Sequence, residues 1–326
     1  MKIKELTCVV APRGGMGDCI SFFAFFKTIA KLNKKKIILI THKNTSAQDV
    51  LKYQNIFHKI IYLDNVKKNF ISNILSYIKI FKLFSLLRTQ GANKVIILHH
   101  SIKYVLISRL VGFYSIEAPG QKFQRFFLTK NRVYKNYFSK VLHPRDESEI
   151  LIKKIFNLNK IEDNYFFFNK SKKKSFVAIG IAASGYEKLW PIENYVKVIN
   201  YLYKCGFRKF LLLSGKNQTP LESYISNVFS KKKNIYFIKT SNLNIGSIIK
   251  YFNKIKFYIG NDTGFSHLSV SHEIPSIIIY GDCPPHSYSN LIYPILAKNN
   301  IISQDAIKKI SFIKVKKKIK YLINLL

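Results

Sequence analysis

The 326-residue sequence predicts an α/β chain of two domains, each built on an open parallel sheet, and three observations carry that prediction. Short β-branched runs alternate with segments of helical spacing. The alternation restarts after a polar interval. A hydrophobic content of 48% over this length can fill two ordinary cores. Strand and helix alternating in both halves give parallel strands joined by helices that cover both faces of a sheet.

The elements follow in chain order. Leu6 to Ala11, Lys36 to Thr41, Ile60 to Leu63 and Lys94 to His99 read as strands, since each is a β-branched run bounded by turn residues. Between them, Cys19 to Leu32 and Phe70 to Arg88 have helical spacing. A polar, Lys-rich passage from Asn157 to Ser175 holds the expected boundary, dividing the chain into 1–165 and 166–326. The second half then reads as strand Phe176 to Ala182, helix Pro191 to Cys205, strand Lys209 to Ser214, helix Leu221 to Phe229, and strands Ile235 to Ile238 and Lys256 to Gly260. A helix from Gly264 to His272 and a strand from Ser276 to Tyr280 complete it. Ala306 to Leu326 reads as a basic amphipathic helix packed as a cover on one domain.

Open parallel sheets bind ligands beyond the carboxyl ends of their strands, so two such domains facing across a cleft place a site in post-strand loops. Bulk composition narrows the chemistry. The formal charge is +37, from 54 Lys and Arg against 17 Asp and Glu, which favours anionic partners. Most of the excess is Lys spread along the chain, as in a compositional bias. Cys8, Cys19, Cys205 and Cys283 are far apart and form no CxxC pair, so neither a zinc site nor a disulfide framework is expected. The apolar run from Leu6 to Pro12 is too short for a secretory signal. Val95 to Ile116 is interrupted by His99, His100, Lys103 and Arg109, so no run approaches the roughly 20 residues of a spanning helix.

Three post-strand segments carry candidate chemistry. RGGMGD, Arg13 to Asp18, follows the first strand and precedes a helix expected near Cys19; Gly15 and Gly17 allow a tight turn and close approach to backbone. A dinucleotide fingerprint fits poorly, because the third glycine is replaced by Ile20 and the second strand ends in Thr41 and His42 without the acid that holds a ribose. Asp18 can act as a general base, a role worth about 10² to 10⁴ in rate, or as a helix N-cap; local sequence alone favours the cap. In SGYEKLWP, Ser184 to Pro191, Pro191 starts a helix and Lys188 lies in the loop, where a phosphate about 4 Å away gains it on the order of 4 kcal/mol at an effective dielectric of 20. A solvated Lys is the ordinary alternative, and the single tryptophan, Trp190, reads as packing.

The third segment, Tyr258 to Pro285, runs from a strand ending IGNDTG into a helix starting FSHLS. The amides of Gly264, Phe265 and Ser266, with the Thr263 hydroxyl, form an anion site at a helix N-terminus. His267 in the first turn is expected to be a neutral hydrogen-bond donor, because the positive helix end disfavours imidazolium. Asp262 would repel a diphosphate and is read as capping or holding the loop. A DTG triplet also occurs in aspartic proteases, but that chemistry needs a paired second aspartate in an all-β setting.

Taken together, RGGMGD, EKLWP and NDTGFSHLSVSHEIPSIIIYGDCPP resemble glycosyltransferase family 9, the ADP-heptose lipopolysaccharide heptosyltransferases, from the first strand to about Pro285. The resemblance implies a GT-B type fold of two Rossmann-like domains, with the acceptor bound by 1–165 and the nucleotide-sugar donor by 166–326. It further implies inversion at the anomeric carbon, no required metal and no cofactor. Carried onto this chain, Asp18 matches the general base and Lys188 the residue that meets the donor phosphates. Asp262, Thr263, Gly264 and His267 match the donor loop. Ser184, Gly215 and Gln218 join the donor side, and Arg13, Gly15 and Gly17 the acceptor-side loop. One departure concerns the loop GKNQTP after Ser214, where the family places an acid near the donor ribose and this chain offers Gln218.

The expected reaction is sugar transfer, best matched to ADP-heptose, onto a phosphorylated glycolipid or oligosaccharide. The expected location is cytoplasmic, with the charge favouring an anionic membrane surface at the cytoplasmic face of the inner membrane. The rivals are a GT-B transferase with another donor, a nucleotide-sugar epimerase, and a basic nucleic-acid-binding protein. No nucleic acid is expected, since no recognition motif or aromatic-basic interleaving is present.

Overall fold

The computed structural model describes residues 6–11, 14–64, 70–120, 122–129, 144–168, 174–183, 185, 188–281, 283–297 and 305–326. The chain divides into two compact units, Met1–Asp163 and Asn164–Leu326.

In the first unit, strands β1 (Leu6–Val10), β2 (Ile37–His42), β3 (Phe57–Leu63), β4 (Ala92–Ile97) and β5 (Ser115–Glu117) form one sheet in the order β3-β2-β1-β4-β5, every pair parallel. Cys8 to Val10, Ile37 to Ile40 and Val95 to Ile97 are buried, because inner parallel strands are covered on both faces and read as continuous apolar runs. Helices α1 (Met16–Ser21), α2 (Phe23–Leu32), α3 (Ala47–Val50), α4 (Phe70–Thr89), α5 (Ile102–Leu110) and α6 (Pro144–Phe156) connect them. The single helix expected over Cys19 to Leu32 is two. Ser21 Oγ donates to Asp18 O at 2.8 Å, and this back-bonding accompanies a break at Phe22.

The second sheet runs β11-β10-β9-β6-β7-β8, again with all pairs parallel: β6 (Phe176–Gly180), β7 (Lys209–Leu213), β8 (Tyr236–Lys239), β9 (Ile255–Asn261), β10 (Ser276–Ile279) and β11 (Ile292–Ile295). Its helices are α7 (Ile192–Lys204), α8 (Thr219–Val228), α9 (Ile245–Phe252), α10 (Gly264–Ser271) and α11 (Phe312–Leu325). Gly180 and Gly260 are register partners, and a Cβ on Gly260 would stand 2.5 Å from the Gly180 Cα. A Cβ on Gly180 would stand 1.9 Å from the Tyr258 Oη. Glycine at both positions lets β6 and β9 close around that buried phenol.

The helix expected over 306–326 is interrupted. Ala306–Lys309 is a 3₁₀ turn, Ile310 is extended, and α11 starts after Ser311, whose side chain accepts from Lys314 N. The reason is tertiary: the Ile310 carbonyl accepts the Trp190 Nε1–H at 2.8 Å and is lost to the helix. Val315, Ile319 and Leu322, on one face of α11, are buried in the same core as Trp190, Tyr195, Val198 and Leu202. Among the described residues no helix is long and apolar enough to cross a membrane.

Candidate functional site

In each sheet the strand order reverses at one point, between β1 and β4 in the first and between β6 and β9 in the second. Connections leaving neighbouring strands in opposite directions open a crevice at their carboxyl ends. The loops that follow β1, β6 and β9 are the three segments with candidate chemistry.

After β1, Arg13 lies outside the described residues. Gly14 has φ +75, and a Cβ there would fall 1.6 Å from Asp18 Oδ2. Its carbonyl accepts Asn44 Nδ2 at 2.8 Å, which ties the loop to the end of β2. The helix starts at Met16, earlier than expected, so Gly17 and Asp18 sit in its first turn and Gly15 is the N-cap. Asp18 is therefore not the N-cap. It reaches back so that Oδ2 accepts Gly15 N–H at 3.1 Å, the N3 half of a capping box. The side chain is exposed, and one hydrogen bond leaves most of a carboxylate's acceptor capacity open. Beyond β4, His100 Nε2 lies 2.8 Å from Glu147 Oε2, a contact at the same sheet edge that sequence reading did not single out.

After β6, Ser184 lies outside the described residues. Lys188 is partly buried, with its main-chain N–H on Gly185 O at 3.1 Å. Trp190 is a packing residue: it is 2% exposed, edge-on to Tyr195 at 4.9 Å between ring centroids. What holds this loop is Asn261, the last residue of β9. Its Nδ2 donates to Ala182 O at 3.0 Å, while its Oδ1 accepts Trp190 N–H at 3.3 Å and Tyr195 Oη–H at 2.7 Å. Asn261 thus fastens the Lys188 loop to the strand that leads into the third segment. A lone amide ending an apolar strand was the signal available in sequence, since a buried amide requires partners.

The third segment turns directly from β9 into α10, with Thr263 as N-cap. Ser266 Oγ accepts Thr263 N–H at 3.2 Å, and the Ser266 amide bonds Thr263 O at 3.0 Å. The expected trio of open amides is therefore a pair, Gly264 and Phe265, which have no partner among the described residues. Thr263 Oγ1 is buried and has no hydrogen-bond partner among the described residues. Two amides, an orphan hydroxyl and the positive helix end form a cradle for an oxyanion.

Asp262 precedes the cap, so the capping alternative does not hold. Its carboxylate holds the neighbouring loop instead: Oδ2 accepts the Cys283 thiol at 3.2 Å and Oδ1 lies 3.6 Å from His267 Nε2. His267 is buried, and its Nδ1 lies 2.7 Å from Tyr288 Oη, so both ring nitrogens face protein groups. The His286 ring lies 4.7 Å from His267, edge-on. Asp262, His267 and His286 offer ligand atoms all within 4.8 Å of one another, which makes them the group among the described residues that could hold a cation. Cys283, His286 and Tyr288 were not singled out from sequence, because only folding of the loop after β10 brings them here.

On the remaining side of the second sheet, Gly215 N–H is accepted by Gln218 Oε1 at 2.9 Å, and Gln218 Nε2 donates to Ala183 O at 3.4 Å. Gln218 thus braces the loops after β6 and β7, with part of its amide still open. The nearest acid, Glu222, is fully buried and faces inward. It accepts from Ser214 Oγ, from Thr240 N at 2.8 Å, and from Ser241 N and Oγ at 3.1 and 2.6 Å.

A family model described as glycosyltransferase family 9 (heptosyltransferase) matches residues 80–322. A search of curated proteins finds no match. Among solved structures the chain is similar to a glycosyl transferase family 9 protein from Veillonella parvula DSM 2008, at 16% identity and TM-score 0.76 over 100% of this chain and 99% of that one. It is similar to E. coli heptosyltransferase WaaC with ADP-2-deoxy-2-fluoro heptose, at 15% identity and TM-score 0.74 over 97% and 99%. E. coli ADP-heptose LPS heptosyltransferase II matches at 14% identity and TM-score 0.76 over 98% and 99%. At these identities the likeness carries the fold, the GT-B type with two parallel-sheet α/β domains.

Proposed function

The chain belongs to glycosyltransferase family 9, and on that premise we propose that it moves a sugar from a nucleotide-diphosphate donor to a hydroxyl of a glycan, with inversion at the anomeric carbon and without a metal. The observation that carries the reading is the cradle at the switch point of the second sheet. The Gly264 and Phe265 amides, the Thr263 hydroxyl and the Lys188 loop, which Asn261 fastens to β9, lie at adjoining strand ends, and this supports a diphosphate site there. Donors aimed at that position stabilise the transition state more than the ground state.

Asp18 takes the proton of the attacking hydroxyl while its other oxygen keeps the cap on Gly15. The hydroxyl oxygen bonds the anomeric carbon as the bond to the diphosphate oxygen breaks, and the nucleoside diphosphate leaves as an anion. Lys188 and the α10 end receive that charge, and Ser184, Gly215 and Gln218 complete the donor side. ADP-heptose is the donor we propose, supported by the solved WaaC with an ADP-heptose analogue. A phosphorylated glycolipid or oligosaccharide of a lipopolysaccharide core is the proposed acceptor, with the Arg13, Gly15 and Gly17 loop on its side. We propose a cytoplasmic location, and the formal charge of +37 supports contact with an anionic membrane surface.

A thermal-shift panel of nucleotide-sugars tests the donor. ADP-heptose should raise the melting temperature more than UDP- or GDP-sugars. Stabilisation by a UDP-sugar, or turnover of donor to an epimer with no acceptor present, would overturn the assignment.

A further inference from the structure

Half of the large hydrophobic side chains exposed among the described residues, eleven of twenty-two, lie between Ile74 and Phe126 in the first unit. On α4, Ser76, Ile80, Phe84 and Leu87 form the buried stripe, yet Ile74, Leu75, Tyr77, Ile78 and Phe81 are each 43 to 51% exposed. A helix apolar on every side belongs in a core or against another apolar phase. The neighbouring elements repeat the pattern. α5 packs on α4 and on the 3₁₀ turn Lys122–Phe127, in which Phe123 and Phe126 are 75% and 61% exposed.

Topology gathers these groups at one edge. α4 leaves the carboxyl end of β3 and runs back to Gly91, whose carbonyl accepts Leu6 N–H at the start of β1. Its N-terminal half, with exposed Ile74, Leu75, Tyr77 and Ile78, therefore lies toward the carboxyl edge of the sheet, as do the start of α5 and the 3₁₀ turn that follows β5. Lys103 at the start of α5 donates to Ser76 Oγ at 3.2 Å and lies over the Tyr77 ring, which joins the two helices there. Asp18 follows β1 at that same edge. Charge selects the occupant. From Phe70 to Thr129 the sequence has eight Lys and Arg and a single acid, Glu117, which is buried. Lys79 and Lys82 are exposed among the apolar groups of α4, Lys79 paired at 2.7 Å with Asp64, an exposed acid just after β3. A soluble protein partner would have to match both features; an anionic bilayer surface offers acyl chains and phosphate together.

We propose that the carboxyl edge of the first sheet, through α4, the start of α5 and the Phe123–Phe126 turn, docks on an anionic lipid bilayer. Its apolar groups enter the headgroup boundary and its lysines meet lipid phosphates. Resting on the transferase reading above, this docking presents a membrane-borne acceptor to the Asp18 loop.

Sedimentation of the full chain with vesicles tests it. Wild type should bind phosphatidylcholine vesicles containing phosphatidylglycerol, bind pure phosphatidylcholine weakly, and lose binding at high salt. Each lysine near an anionic surface contributes about five-fold, so Lys79→Glu with Lys82→Glu should weaken binding about 25-fold or more. Ile74→Ser with Ile78→Ser should weaken it on the order of ten-fold per residue. Both variants should keep the wild-type melting temperature and donor affinity, since the four side chains are exposed. Unchanged vesicle binding in the variants overturns the proposal, as does equal binding to neutral lipid. So does conversion of a wild-type dimer to a monomer with vesicle binding intact, which would assign the face to a second copy. Loss of donor binding or turnover in the presence of normal vesicle binding would bear on the transferase reading and leave this one standing.

Discussion

Asp18→Asn separates the two roles that meet at one carboxylate. The cap needs an oxygen that accepts the Gly15 N–H, now 3.1 Å from Oδ2, and an asparagine carbonyl supplies one in the same place. The base needs a group that can take a proton at neutral pH, which an amide cannot. General-base assistance is worth about 10² to 10⁴ in rate, or roughly 2.7 to 5.4 kcal/mol of transition-state stabilisation. A cap of this kind is worth about 0.5 to 2 kcal/mol of stability. Asp18→Asn is therefore expected to lower kcat by at least about 10² while leaving donor Kd and melting temperature at wild-type values. Asp18→Ala should show the same loss of rate and, in addition, about 1 kcal/mol lower stability, a few degrees in Tm for a domain of this size. Single-turnover kinetics with saturating donor, alongside isothermal titration and thermal melts, give the three readouts. If Asp18→Asn retains more than about a tenth of the wild-type rate, Asp18 is a cap and not the base. If donor affinity falls with the rate, the residue acts by shaping the loop.

Further outcomes follow from the second unit. Lys188→Ala should weaken donor affinity and kcat together by about ten- to a hundred-fold, with the effect shrinking at high salt; a change in stability alone would return Lys188 to the solvated face. Asn261→Ala leaves the Trp190 amide short of a buried acceptor and Ala182 O short of a donor, while the Tyr195 hydroxyl keeps Gly180 O at 3.0 Å. It should cost about 1 to 3 kcal/mol of stability and lower donor affinity without any contact to donor, measured by denaturant titration and calorimetry. EDTA should leave turnover unchanged; a rate lost to EDTA and restored by zinc would place a cation on Asp262, His267 and His286. Burial lowers the His272 pKa from 6.5 to about 4, so the native ring stays neutral where the unfolded ring takes up a proton. The stability this contributes is present above pH 6.5 and is lost as pH falls toward 4, by about 3 kcal/mol, and urea titrations of His272→Gln across that window should show a shallower decline.

Burial and backbone partners, which are set over long sequence distances, explain where local reading and structure part. Strand periodicity is a local property, so the inner strands and the switch-point loops were legible: Cys8 to Val10 and Phe257 to Ile259 are apolar and buried because both faces are covered. Of the edge strands, β3 and β8 were legible, and β5 and β11 were not. β5 has three residues and β11 contains Pro294, and each owes its existence to the neighbour it pairs with. Helix limits likewise depended on distant groups, as the Trp190 indole shows when it takes the Ile310 carbonyl out of the last helix.

For the candidate site, sequence alone picked out the loops after β1, β6 and β9, and with them the candidates Asp18, Lys188 and Thr263, since glycines, a proline and a helix start are encoded within a few residues. Tertiary structure decided their employment. It put Asp18 at N3 and not at the cap, made Asn261 the fastening of the Lys188 loop, turned Asp262 toward Cys283 and His267, and brought His286 and Tyr288 from beyond the next strand. The physical reason is the same in each case. A polar group leaving water must find a partner, and which partner is near is settled by how the strands are ordered and not by the residues beside it in the chain.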